Sequence, residues 1–273
     1  MDRPIAAVDL PQANQIDANN DNANNHELAQ DRLVVLQGME QNYTPRLNYL
    51  LIRDNPNLNS LSEHRKYLHQ MSSYLIEKLK YLPDVVSVSM SIFDRFIASY
   101  PENNVPPISL ALLACTAPFT AIKTLQTTFI SADEFASLSR GQFTAKDIKE
   151  AELTILQRIG WQINPPTINA YIRDMLIILQ PSTIGEMLLQ PTLNKQIEAI
   201  HTDPKYMLNH KSQLAYAAFL NAIDEVNKNH PNTFSLAQIN QFTQTLNQTM
   251  NLHSNGHMIM IIRQSLLPPN MTT

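Results

Sequence analysis

Glycine is scarce in this chain, with 5 in 273 residues, and runs of valine, threonine and isoleucine are almost absent. Both scarcities disfavour a sheet protein, whereas the Ala, Leu, Met and Gln content favours helix. A single cysteine, Cys115, excludes an internal disulfide. Its apolar neighbours predict a buried thiol in a reducing compartment. No basic stripe is present, and 20 Lys and Arg stand against 24 Asp and Glu, a net charge of −4. Binding nucleic acid requires clustered cations on phosphates, so that partner class is not expected. No apolar run approaches the roughly 18–20 residues that cross a bilayer, and no signal-peptide pattern opens the chain. The expectation is a soluble protein of the nucleus or cytoplasm, with no membrane partner.

Catalytic signatures are missing as well. There is no glycine-rich phosphate loop, and no Ser or Cys has a recognisable set of partners. His64 and His69 are five apart, so they diverge on a helix. His253 and His257 are four apart, but no third ligand is in view and Gly256 weakens the helix. No catalytic residue, metal, cofactor or small-molecule substrate is therefore expected. An all-helical enzyme would need a deep polar pocket with converging titratable groups.

A hydrophobic content of 44% is enough for a sizeable core. The length suits one large domain or two of about 100–150 residues. Residues 1–26 are rich in asparagine and poor in large apolar groups, which predicts a disordered tail. A helix is expected over 27–42, carrying Leu33, Val35, Leu36 and Met39. Ser60-Leu-Ser-Glu63 reads as a capping box opening the next helix, with Leu61, Leu68, Met71, Leu75 and Leu79 on one face. Pro83 starts a helix bearing Val86, Met90, Phe93 and Ile97. The helix over 108–125 is apolar on all sides until Lys123, as a buried central helix should be. Pro118 inside it predicts a kink, or a split at Ala117. Ser131 and Thr144 cap two further helices, and Gly160 ends the second. Asn164-Pro-Pro-Thr167 marks a boundary that no helix can continue through. Beyond it helices are expected near 167–179, 183–200, 211–227, 235–248 and 254–266. Ser109–Ala114 and Ser212–Ala217 open similar small-and-apolar helices 103 positions apart, a faint repeat of one helical unit. The resulting division is a tail over 1–26, one domain over 27–164, a second over 165–266 and a short tail over 267–273.

Some charged residues interrupt the apolar pattern. Arg65 opens a core-bound helix, and Asp94 follows Ile92-Phe93 and precedes Arg95-Phe96. Buried charges are seldom tolerated unpaired, so an ion pair between two adjacent helices is one reading. Two snorkelling surface groups is the other, and spacing alone favours it. Lys123 and Glu152 lie 29 positions apart on neighbouring helices. By themselves they read as a lysine at a helix C-terminus and a surface glutamate.

Taken together these residues resemble the cyclins. The N-terminal box of that family runs Arg-x-x-Leu, then Asp-Arg-Phe, then an Ala-rich helix ending in Lys. An aromatic-Thr element and a helix with a paired Glu follow. Here those are Arg65-x-x-Leu68, Asp94-Arg95-Phe96, Ala111 to Lys123, Phe143-Thr144 and Glu152, continued by Ile155-Leu156 and Trp161. Thr120-Ala-Ile-Lys123, Leu138-Ser-Arg-Gly141, Glu152-Leu-Thr-Ile-Leu156 and Trp161-x-x-Asn164-Pro-Pro-Thr167 together look most like the cyclins of diatoms. The likeness is strong over 35–170 and weaker over 170–266, where His201-x-Asp-Pro and Ser212-x-Leu-Ala-Tyr-Ala-Ala suggest a second box.

The resemblance implies an all-α fold of two tandem five-helix domains. It also implies a non-enzymatic regulatory subunit of the cell cycle that binds and activates a cyclin-dependent kinase as a heterodimer. Lys123 and Glu152 would hold the kinase backbone near its mobile C-helix, with Phe119, Ile122 and Phe129 as apolar contacts. The alternative is a cyclin-fold adaptor or transcription-associated module without kinase activation. Several departures narrow the likeness. Thr124-Leu125-Gln126 replaces the two glutamates that often follow the lysine. Met71 stands where cell-cycle cyclins carry a substrate-docking Trp, and Pro107 and Ala111 replace the polar frame of that patch. Arg-x-Leu substrate docking of the usual strength is therefore not expected, and the tail lacks a destruction-box Arg-x-x-Leu.

Overall fold

A computed structural model of the chain describes residues 13–44, 58–100, 106–127 and 130–267. Among them it is helical, with no strand. The helices are α1 (Ala13–Tyr43), α2 (Leu58–Leu79), α3 (Asp84–Ala98), α4 (Leu110–Leu125), α5 (Ala132–Leu138) and α6 (Ala145–Arg158). After the Pro-Pro boundary come α7 (Ile168–Leu179), α8 (Thr183–Thr202), a 3-10 turn (Pro204–Tyr206), α9 (Lys211–Asn229), α10 (Leu236–Met250) and α11 (His257–Leu266).

Two apolar cores organise these helices. Helices α2 to α6 close around the first, with Leu68, Phe93, Phe96, Phe135 and Ile155 fully buried. Helices α7 to α11 close around the second, with Tyr171, Tyr216, Phe219 and Phe242 at its centre. The architecture is thus two tandem five-helix units. Each has a central helix: α4 is buried from Leu113 to Ile122, and α9 from Leu214 to Ile223. These are the two segments whose openings repeat in the sequence. Thr167 caps α7 by accepting from the Ala170 amide at 3.0 Å, so the boundary tetrapeptide also starts the second unit.

Local signals account for most boundaries. The Ser131 and Thr144 caps form complete capping boxes, closed by Glu134 and Asp147. Pro83 takes the N-cap position of α3, and Gly160 leaves α6 with a φ of +63°. Three expectations are corrected. Ser60–Glu63 is not a cap, because α2 begins at Leu58 and Ser60 lies inside it; the Ser60 carbonyl instead meets His64 Nδ1 at 2.7 Å. Of the predicted α2 face, Leu61, Leu68 and Leu75 are buried, but Leu79 is 43% exposed. Pro118 does not split its helix: α4 runs unbroken from Leu110 to Leu125. Packing by α2, α3 and α6 on its flanks outweighs the one amide donor that proline lacks.

Helix α1 departs furthest from expectation. It begins at Ala13, so residues 13–26 of the predicted tail are helical, while residues 1–12 lie outside the described residues. Positions 12–37 contain neither Gly nor Pro, and extending a nucleated helix through Asn costs little per residue. Its main packing is not with the helices that follow it directly in sequence. Ala29 and Leu33 join the second core, against α7 and α10.

Candidate functional site

Ser109 caps α4, its hydroxyl accepting from the Leu112 amide at 3.1 Å. From there the helix is buried until its last turn, where Lys123 is the first residue to reach solvent. The Thr144–Asp147 capping box fixes the start of α6, which presents Glu152 to α4. Lys123 Nζ donates to both carboxylate oxygens of Glu152, at 3.0 and 2.8 Å. The lysine side chain is 41% exposed and the glutamate 11%. The ammonium also lies 5.1 Å from the centroid of the Phe119 ring, one turn back. The result is a small charged knob, with the ammonium partly in water, where the end of the apolar helix α4 meets the middle of the amphipathic helix α6.

The apolar contacts expected around it are not available. Phe119 is 4% exposed, with its ring tilted against that of Phe135, and Ile122 is fully buried. Both belong to the first core and cannot touch a partner, as an all-apolar helix packed on every side dictates. Phe129 lies outside the described residues. The exposed apolar residue beside the pair is Leu153, at 49%. Cys115 is buried in α4, and burial pushes its thiol up to about 11, so it is no nucleophile.

Arg65 and Asp94 meet between α2 and α3. Arg65 Nη1 donates to Asp94 Oδ1, with both side chains at 3% exposure or less. Burial pushes the Arg65 guanidinium down to about 9, opposed by the charge of Asp203. Arg95, the middle residue of the Asp-Arg-Phe triplet, does something sequence reasoning missed. Its guanidinium donates to the carbonyls of Gln162 at 2.6 Å and Ile159 at 3.2 Å, closing the C-terminus of α6. The other side of that guanidinium lies 4.8 Å from the Tyr43 ring of α1.

A polar seam joins the two units. Asp84 accepts from Thr167, and His201 Nε2 lies 3.2 Å from Ser87 Oγ. The His69 and His201 rings are 5.6 Å apart. Burial, then the charges of His69, Lys211 and Arg65, hold His201 well below its ordinary value. A histidine kept neutral in the fold but protonated when unfolded draws protons toward the unfolded chain. Stability is full above pH 6.5 and is lost as pH falls through that value, by at most about 1.4 kcal/mol per pH unit for one such group. The melting temperature is expected to drop between pH 7.5 and 5.5. His201→Gln should flatten that slope; an unchanged slope would place the acid sensitivity elsewhere.

Residues 31–164 match the family model described as cyclin, N-terminal domain. The chain is 23% identical to the human G1/S-specific cyclin-D1 over 174 residues, which is 64% of this chain and 58% of that one. It is 29% identical to the G1/S-specific cyclin-E of Hemicentrotus pulcherrimus over 92 residues, covering 34% of this chain and 21% of the relative. This chain thus spans little more than half of the first relative and a fifth of the second. Its fold superposes on the viral cyclin from herpesvirus saimiri with a TM-score of 0.58, at 15% identity, over 75% of this chain and 85% of that one. The match to the cyclin N-terminal domain thus covers residues 31–164, and the helical architecture is that of the cyclin fold.

Proposed function

We propose that this chain is a regulatory subunit of the cell cycle that binds and activates a cyclin-dependent serine/threonine kinase in the nucleus or cytoplasm. The observation that carries this reading is the Lys123–Glu152 pair, which joins the solvent end of the buried helix α4 to the middle of α6. Each side chain can exchange its partner for a backbone group of a docked protein without exposing a buried charge. Charge-assisted hydrogen bonds of this kind gain strength as the interface dries. Leu153 supplies an apolar contact beside them. Kinase activation requires an internal Lys–Glu pair completed when the kinase C-helix moves inward. A subunit that binds only the inward state shifts the equilibrium by its differential affinity. The diatom-like motifs belong to the same proposal, as does the absence of catalysis by the chain itself.

The test is Lys123→Ala combined with Glu152→Ala. Removing both charges together leaves neither without its partner, so the melting temperature should fall little even though Glu152 is mostly buried. Kinase binding should weaken at least tenfold, with activation lost in parallel, as read by titration calorimetry and a phosphorylation assay. Undiminished binding and activation would move the interface elsewhere. Copurification from the source cells separates the adaptor reading: promoter-bound or ubiquitin-ligase partners without a kinase would favour it.

A further inference from the structure

A cavity of about 530 Å³ opens where the two units meet, between the start of α2, the second half of α8, the 3-10 turn and the end of α11. Lys66 faces it from the first unit, and Lys195 and Lys205 from the second. Ser62, Thr202 and Ser265 also line it, and the hydroxyls of the last two donate to the Glu198 and Ile262 carbonyls. Two carboxylates are present as well. Asp203 is occupied: its Oδ2 holds the Lys205 ammonium at 2.9 Å and its Oδ1 accepts the Lys205 amide at 3.0 Å. Glu225, on the α9 side, has no cationic partner among the described residues, and neither Lys66 nor Lys195 has an acidic one there.

Lys205 is neutralised by Asp203, which leaves two ammoniums, Lys66 and Lys195, facing the cavity without a carboxylate partner, and an anion lying between them would be attracted by both. A phosphate monoester is the anion whose chemistry fits. It carries close to two charges and three strong acceptor oxygens, enough for both unpaired lysines. Lysine binds phosphate as a point charge and needs no planar partner. Size separates a free ion from a carried one. A phosphate group displaces only a few waters, each with a share of about 30 Å³, and this cavity has the volume of a ligand or peptide site. Glu225 points the same way. An unpaired carboxylate beside the lysines disfavours a bare dianion, but it accepts from a basic side chain close to the phosphate.

We propose that this cavity receives a phosphorylated serine or threonine of a partner protein, on an extended segment with a basic residue near the phosphate. The site stands apart from the Lys123–Glu152 knob and does not depend on kinase activation.

The probes are a short degenerate peptide pool centred on phosphoserine, the same pool unphosphorylated, and inorganic phosphate, all against the full chain by fluorescence anisotropy. The phosphorylated pool should bind at least tenfold more tightly than its parent, and more weakly as salt rises. Lys66→Ala with Lys195→Ala should cost a further tenfold or more while melting temperature and kinase binding are unchanged. Glu225→Gln should erase the enrichment of Lys and Arg among the bound peptides. Equal binding of the two pools, an unaffected lysine variant, or displacement by inorganic phosphate at peptide concentration would overturn the proposal. Lys66→Glu provides an independent second variant, expected to abolish phosphopeptide binding altogether.

Discussion

Arg65→Ala should lower stability by about 3–5 kcal/mol, because it leaves the Asp94 carboxylate buried without its cation. In a chain of this size each kcal/mol moves the melting temperature by roughly 2–4 °C, so the shift is on the order of 10 °C. The size of the effect follows from burial and not from any unusual strength of the pair. Both side chains are almost completely removed from water, and Arg65 Nε has no hydrogen-bond partner among the described residues. The guanidinium is thus incompletely satisfied even in the native fold. That imbalance yields a second expectation, in the opposite direction. Arg65→Met with Asp94→Leu removes both charges together with the orphaned donor, and should recover most of the stability lost in either single variant. Thermal melts of the unaltered chain, Arg65→Met, Asp94→Leu and the double variant complete a double-mutant cycle. If Arg65→Ala melts within a degree or two of the unaltered chain, water reaches Asp94. If the apolar double variant is no better than the singles, packing and not charge holds α2 to α3.

The pair also shows where sequence reading stops. Spacing alone favoured two surface groups for Arg65 and Asp94, since nothing in one dimension says that α3 is buried from Val85 to Ile97. Other features are local and were therefore legible. The Ser131 and Thr144 caps, the Gly160 stop and the Pro-Pro boundary depend on residues within a few positions of one another. Two readings failed for opposite reasons. Ser60-Leu-Ser-Glu63 has the composition of a capping box, but Ser60 lies inside a helix that starts earlier. Phe119 and Ile122 were assigned to a partner although α4 is apolar on every face, a pattern that by itself places them in the core. The attachment of α1 was not legible at all. Its anchors are Arg32, Gln37 and Glu40, polar residues whose partners lie far along the chain, and no periodicity reveals such a contact.

Glu40→Ala should therefore have an effect second only to that of Arg65. His210, the N-cap residue of α9, makes no side-chain cap, and Glu40 supplies one from another helix. Its Oε1 accepts from the Ser212 amide at 2.8 Å and its Oε2 from the Ser212 hydroxyl at 2.7 Å. The carboxylate is 4% exposed, and a negative charge at a helix N-terminus is favoured by the helix dipole. Hydrogen bonds to a charged acceptor contribute about 1.5–3 kcal/mol each, and alanine leaves the Ser212 donors buried without an acceptor. A loss of about 3 kcal/mol is expected, and roughly half of that for Glu40→Gln, which keeps one carbonyl. The location of the loss matters more than its size. Helix α1 is fastened to the second unit by the Arg32–Asp174 pair at 2.6 Å, the Gln37 bond to the Met250 carbonyl at 3.0 Å, and Glu40. At its C-terminal end, Tyr43 reaches Arg95 of the first unit. Releasing Glu40 should speed hydrogen exchange in the last turns of α1 and the first turn of α9, with α2 to α6 still protected. Faster exchange spread evenly over both units would mean that α1 is integral to one cooperative fold. Exchange confined to α1 and α9 would make it a strap, seated on the second core by Ala29 and Leu33 and with polar contacts toward its end that a single substitution can loosen.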